Sequence, residues 1–230
     1  VSEMISQGVD IIDLGAVSSK PGSKIIKGED ELKLVSKYII EFSKNFNNTL
    51  FSIDTYNSEV ANFALKNGFA IINDISSGKY DSNIIDVVKN YDAGYVIMHM
   101  KGDPSNMQKN PIYDNVVNSV SNFSISKIDE LERINIKNII IDPGFGFGKT
   151  IDHNFEILSN LEKFKELKKP LLAGISRKSM IYKLLNISPS DSLNGTSILN
   201  TIAIDKGADI LRVHDISEAK ECLTLINKLN

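Results

Sequence analysis

What the sequence lacks narrows its chemistry first. Cys222 is the single cysteine in 230 residues, so no internal disulfide can form and a reducing, cytoplasmic setting is expected. No apolar run approaches the roughly 18 residues of a membrane span. The opening stretch VSEMISQGVD has no signal-peptide core and no initiating Met. Neither sign of charge dominates: 26 basic against 29 acidic residues leave a net charge of -3. A general nucleic-acid or membrane surface draws on basic patches and is not expected. A small anionic ligand needs only a few local cations and stays open. No G-x-S-x-G elbow is present. His99, His153 and His214 make no H-E-x-x-H or other zinc spacing.

The Gly-rich stretch DPGFGFGKT, Asp142 to Thr150, invites a phosphate-loop reading and fails it. A Walker A loop would need glycine where Pro143 stands, and a dinucleotide loop would need glycine where Lys149 stands. Its meaning has to come from the rest of the chain.

Short apolar runs recur at residues 9–16, 49–55, 69–76, 94–100, 138–144, 170–176 and 208–216. They are rich in Ile, Val and Leu and do not alternate cleanly, as in parallel strands buried on both faces. Helical spacing of apolar residues marks 30–42, 59–67 and 155–167. Gly8, Gly68 and Gly207 each precede a strand, where a helix end needs a residue tolerant of positive φ. Seven (βα) repeats led by a helix predict an α/β fold, a (β/α)8 barrel without its first strand and first loop. One domain over 1–230, truncated at its N-terminus, is expected; an open seven-stranded sheet is the alternative. The barrel is preferred because nearly every strand ends in a polar residue: Asp13, Asp54, Asn73 with Asp74, His99, Asp142, Ser176 with Arg177 and Lys178, and Arg212 with His214. In a barrel these ends converge on one face.

Asp54, Asn73 and Asp142 are residue types that bind the amidine-like edge of a flat heterocycle. Lys178, Arg212 and His214 suit an anion such as phosphate or diphosphate. Plainer roles compete. Asp13 reads equally as a loop cap, His99 as a hydrogen-bonded core residue, and His153 as a surface or capping residue. Lys149 and Thr150 read as ordinary loop residues, and Phe145 and Phe147 as core or as a ring at the cleft mouth.

Taken in order, DIIDLGAVSSKPG, SIDTYNSEVA, IINDIS, MHMKGDPSNMQ, PIYDNVV, IIIDPGFGFGKT, HNFEIL, GISRKSMI, LNGTSILN and ADILRVHD closely resemble dihydropteroate synthases over nearly the whole chain. The resemblance implies a transferase of folate synthesis that joins a dihydropterin methyl diphosphate to 4-aminobenzoate and is a target of sulfonamides. It places Asp54, Asn73, Met98, Asp142, Gly174 and Lys178 at the pterin, with Lys149 near it. It places Ser19, Lys20, Arg212 and His214 at the diphosphate. Pro21, Phe147, Lys178 and Ser179 would hold the aminobenzoate, Ser179 opening a helix whose N-terminus receives the carboxylate. In this reading the glycines of DPGFGFGKT let backbone pass close to both substrates. Lys178, Arg212 and His214 carry the catalytic assignment. Mg2+ is implied as an aid to diphosphate departure and a homodimer as the assembly.

Two departures qualify the likeness. The N-x-T-P-D-S-F segment, whose Asn helps bind metal, is not in this sequence. The usual S-T-R-P-G loop reads Ser18-Ser19-Lys20-Pro21-Gly22, which keeps the charge of Arg but not its fork. Methyltransferases using methyltetrahydrofolate share the Asp, Asn and Asp contacts but do not need S-R-K-S or R-V-H. A non-catalytic pterin-binding barrel is a further alternative.

Overall fold

The computed structural model describes residues 1–17, 22–23 and 25–229. Ser19, Lys20 and Pro21 lie outside the described residues.

Seven parallel strands alternate with helices. The strands are β1 (Ile11–Leu14), β2 (Leu50–Asp54), β3 (Ile71–Asp74), β4 (Gly94–Met98), β5 (Ile139–Asp142), β6 (Leu172–Ala173) and β7 (Ile210–Leu211). Strands β1 to β5 pair in sequence order; a bridge from Ile141 to Leu171 leads into the β6–β7 pair. The helices are α1 (Ser2–Ser6), α2 (Gly28–Asn45), α3 (Ser58–Lys66), α4 (Ile84–Tyr91), α5 (Val116–Arg133), α6 (Ile151–Ser159), α7 (Ser179–Tyr182), α8 (Leu193–Asp205) and α9 (Ile216–Ile226).

One contact decides between a barrel and an open sheet. Laid flat in this order, β1 and β7 would sit six strand spacings apart, about 29 Å. Instead Arg212, just past β7, donates to Asp13 of β1 and Asp54 of β2 at 2.8 Å each. The sheet is therefore curled until its ends face one another. No β7–β1 ladder is recorded among the described residues, and a cavity of about 480 Å³ opens there, lined by Met4, Ile11, Ile210, Ala219 and Leu223 among others.

Both faces of the strands are apolar, for different reasons. Ile12, Phe51, Ile53, Ile72, Tyr95, Ile97, Ile139 and Ile141 point outward and pack with Val35, Ile39, Val60, Leu131 and Ile157 of the surrounding helices. Ile11, Ile71, Val96, Ile140, Leu172 and Ile210 point inward, pack together and line the cavity of the barrel. Alternation of apolar with apolar is why the strand runs showed no clean period.

Gly8, Gly68 and Gly207 adopt φ of +83°, +96° and +95°, as their positions before strands required. The segment 155–167 is not one helix. It breaks at Asn160 into α6 and a 3₁₀ helix, Leu161–Leu167, where Asn160 Nδ2 donates back to the Glu156 carbonyl at 2.8 Å. Leu161 and Phe164 still bury fully, which fixed the apolar pattern through the break.

The glycines of DPGFGFGKT serve the fold before any ligand. A Cβ on Gly144 would lie 2.0 Å from the His99 carbonyl oxygen, and one on Gly148 2.3 Å from that of Lys101. At these two positions the close approach is to the β4–α5 loop and not to a substrate, which corrects the reading above. Gly144→Ala combines a backbone clash with the strain of φ +71°. It should lower stability by more than about 3 kcal/mol in urea unfolding. Gly68→Ala has the same kind of φ but nothing within 4 Å, and should lose only about 1–2 kcal/mol. Equal midpoints for the two would show that the neighbouring loop yields.

Candidate active site

A period of two along each strand builds the site. Two residues beyond the inward-facing Ile11, Ser52, Ile71, Val96, Ile140, Leu172 and Ile210 stand Asp13, Asp54, Asn73, Met98, Asp142, Gly174 and Arg212. Side chains so spaced share a face. Parallel register sets Asp54 level with Asn73 and Met98 level with Asp142, while Asp13 lies level with Ser52 and Asn73 with Val96, so the row steps up by two residues from β1 to β2 and again from β3 to β4. The polar strand ends thus follow the apolar lining of the barrel, and Asp13, Asn73 and Arg212 border the same cavity. Arg212 and His214 extend past the end of β7, since the ladder stops at Leu211 with Arg212 N still donating to the Ala173 carbonyl at 3.0 Å.

Hydrogen bonds tie the layer together. Asp13 Oδ2 accepts from Asn73 Nδ2 and from Arg212 Nε, both at 2.8 Å, while Arg212 Nη2 donates to Asp54 Oδ2. Burial, and then the charge of Asp13, push Asp54 up to about 7 against the pull of Arg212. Asp142 Oδ1 accepts from Gly144 N at 2.7 Å; burial raises this carboxylate too, and Lys178 opposes the rise. Lys178 donates to the Phe145 carbonyl at 2.5 Å and sits 5.0 Å above the Phe147 ring. Burial pulls its ammonium down to about 8. A Cβ on Gly174 would fall 3.6 Å from Lys178 Nζ and 3.8 Å from Arg212 Cβ, inside the space these cations border.

Loop Pro143–Lys149 is irregular yet fully tethered. Lys149, 3 % exposed, reaches the carbonyls of His99, Gly144 and Phe147 at 3.0, 2.8 and 3.1 Å, and His99 Nδ1 at 3.1 Å. Gln108 donates to the Gly146 carbonyl and Tyr113 to that of Gly148. Burial, then Lys149, hold His99 near 3, so it is neutral and structural. Lys149 is a staple of the loop. Thr150 and His153 close a capping box on α6: Thr150 Oγ1 accepts from His153 N, and Thr150 N donates to His153 Nδ1. Phe145 is fully buried; Phe147 is partly open and joins Tyr56, Ile75 and Met98 in an apolar cluster at the strand ends.

A second clamp joins the β6 and β7 ends. Arg177 grips Asp215 through two bonds of 2.9 and 2.7 Å. Ser176 Oγ accepts from His214 N and lies 2.9 Å from His214 Nδ1. That leaves the other ring nitrogen of His214 without a bond among the described residues, and burial lowers its pKa. Ser179 opens α7, but this helix has only four residues, so its dipole is small.

Several of these partners escaped sequence reasoning. Arg177 and Asp215 are 38 residues apart with no pattern to join them. The structure corrects the grouping of Asp74 with the converging strand ends: next to Asn73 on a strand, it faces the opposite side, where polar partners hold it. Tyr95 Oη donates to it at 2.8 Å, as do Ser76 N and Gly78 N at 2.7 Å. Ser77 in turn bonds both the carbonyl and the N–H of Met98.

The layer offers carboxylate and amide oxygens on one side and Lys178, Arg212 and His214 on the other. Arg212 Nη1 makes no bond among the described residues, and 46 % of its side chain is open. Such a face suits a flat ring with adjacent N–H groups, joined to an anion.

Comparison with known proteins agrees. The model of the pterin binding enzyme family matches residues 1–214. The dihydropteroate synthase of Escherichia coli is 38% identical over 225 residues, covering 97% of this chain and 79% of the relative. The bifunctional dihydropteroate synthase/dihydropteroate reductase of Helicobacter pylori is 36% identical over all of this chain, which spans 60% of that protein's length. The crystal structure of Yersinia pestis dihydropteroate synthase with a sulfonamide drug complex superposes with a TM-score of 0.94 at 32% identity, over 99% of this chain and 82% of that one. The chain belongs to the pterin binding enzyme family, among its dihydropteroate synthases.

Proposed function

We propose that the chain condenses (7,8-dihydropterin-6-yl)methyl diphosphate with 4-aminobenzoate, releasing diphosphate and forming 7,8-dihydropteroate. The observation that carries this reading is the juxtaposition, on one strand-end layer, of Asp54, Asn73 and Asp142 with the cations Lys178 and Arg212. Asp142 and Asp54 accept ring N–H groups, and Asn73 offers an amide oxygen beside them. Arg212 holds the diphosphate through Nη1 without releasing its two carboxylates, and His214 adds a donor. The electron-rich ring stabilises positive charge at the methylene as the C–O bond breaks. The protein neutralises the leaving group and positions a neutral amine, so no protein nucleophile is needed. Phe147 provides one wall for the aminobenzoate, and Ser179 with Lys178 a polar end for its carboxylate. Ser19, Lys20 and Pro21 keep the roles that the family likeness implies. Sulfonamides are the expected inhibitors, as mimics of the aminobenzoate.

Mg2+ enters this reading with the diphosphate. Among the described residues no group of three or more His, Cys, Asp or Glu side chains converges to hold a metal. Bound with the substrate, the ion would draw on phosphate oxygens and water, its usual habit, and would help to neutralise the leaving diphosphate. Exposed apolar residues on α8 and α9, Ile198, Ile202 and Leu225, are compatible with a homodimer. No described helix is long and apolar enough to cross a membrane. The one thiol, Cys222, is buried and free, which suits a reducing, cytoplasmic setting.

Mixing the protein with both substrates and Mg2+ should release diphosphate only when 4-aminobenzoate is present. Release that needs no aminobenzoate would replace transfer with hydrolysis. Asp142→Ala should weaken dihydropterin binding by roughly 1.5–3 kcal/mol, the worth of a charge-assisted hydrogen bond, by calorimetry. Unchanged affinity would move the pterin elsewhere. Arg212→Ala should weaken diphosphate and the diphosphorylated pterin together, sparing the unphosphorylated ring; equal losses for both rings would put Arg212 at the pterin itself. Lys178, lowered to about 8 by burial, is charged below that pH and neutral above it. The kcat/KM for the pterin substrate should therefore fall as pH rises through about 8. A profile flat to pH 10 would show that the Lys178 charge is not used.

A further inference from the structure

Asp13 is not assigned to either substrate above, yet it stands between two residues that are. We propose that Asp13 is a positioning residue that sets which way round the Asn73 amide lies, so that the site selects rings presenting an N–H group to Asn73. The inference rests on the reading given under Proposed function and deepens it.

The geometry has one acceptor and two donors. Asp13 Oδ2 receives Asn73 Nδ2 and Arg212 Nε at 2.8 Å each. An ionised carboxylate can only accept. The nitrogen end of the Asn73 amide must then face Asp13, and its oxygen must face away; a flipped amide would set two acceptor oxygens against each other. Asn73 is 6 % exposed, so it cannot turn out to water to escape that choice. Asn73 Oδ1 makes no hydrogen bond among the described residues, which leaves it as the acceptor for a ring N–H. Arg212 Nε donates to the same Asp13 oxygen, so that oxygen faces two donors and has no room for an acceptor. Asp13 Oδ1 is buried with no partner, a cost in stability that a carboxylate serving the fold alone would not need to carry. The backbone holds the arrangement: β1 and β3 flank β2, Asp13 is level with Ser52 and Ile71, and Asn73 stands two residues farther along on the same face, from where its amide reaches back to Asp13.

Asp13→Asn keeps the shape and removes the rule. An Asn there can donate or accept, so the Asn73 amide no longer has one preferred direction. The change also leaves Arg212 with one carboxylate fewer, which does not disfavour an anion. The two ligand halves should respond differently, and that separates positioning from general damage.

Calorimetry with 6-hydroxymethyl-7,8-dihydropterin and, separately, inorganic diphosphate tests this on the wild type, Asp13→Asn, Asn73→Ala and the double variant. Asp13→Asn should weaken the dihydropterin about tenfold and leave diphosphate no weaker. In the Asn73→Ala background the same change should alter dihydropterin affinity less than about twofold, because the amide it orients is gone. KM for the pterin diphosphate should rise with kcat little changed. An equal Asp13→Asn loss with and without Asn73 would overturn the proposal, as would parallel loss of both ligands, the mark of a distorted fold. A wild type that binds neither ligand removes the underlying reading of the site, and this inference with it.

Discussion

The Arg212 guanidinium, held between the carboxylates of Asp13 and Asp54, is the interaction on which the rest of the site depends. Curling the sheet brings acidic strand ends into one ring, where burial and the neighbouring Asp13 both oppose ionisation of Asp54. A cation reaching across from the far end of the sheet offsets both. The same contact joins the last strand to the first two. Architecture and electrostatics are here one constraint: without the curl Arg212 has no carboxylates, and without Arg212 the acidic ring is unstable as a set of charges. Nearly half of the Arg212 side chain remains in solvent, so its pairing is screened, and its outer edge can still meet an anion.

Much of this was legible in residue order. Runs of Ile, Val and Leu gave seven strands, and polar residues at the strand ends gave the ring. Gly8, Gly68 and Gly207 announced backbone turns that only glycine takes at low cost. These features are local: each depends on spacing along a few residues. His153 as a cap and His99 as a core residue were also local readings, and both hold.

The partners across the ring were not legible. Asp13 with Arg212 spans 199 residues, and nothing in either stretch names the other. The Asn160 break kept the apolar period intact, because Leu161 and Phe164 bury as well from a 3₁₀ turn as from an α-helix. DPGFGFGKT misled for a related reason. Its glycines imply that something comes close, but not whether that something is a ligand or the carbonyls of His99 and Lys101. The four-residue length of α7 and the early end of β7 were set by packing that the segments do not encode alone.

The loop Gly144–Gly148 has a consequence of its own. Each of its carbonyls is held by a side chain: Lys149 takes those of Gly144 and Phe147, Lys178 that of Phe145, Gln108 that of Gly146 and Tyr113 that of Gly148. The segment is built like an inverted micelle, its polar groups turned toward ammonium, amide and phenol anchors and its Phe147 ring toward the mouth. Water finds few acceptors left on such a surface. An aromatic molecule settling against Phe147 therefore meets a wall that is already dry, and it has little hydration to strip away from the backbone beneath.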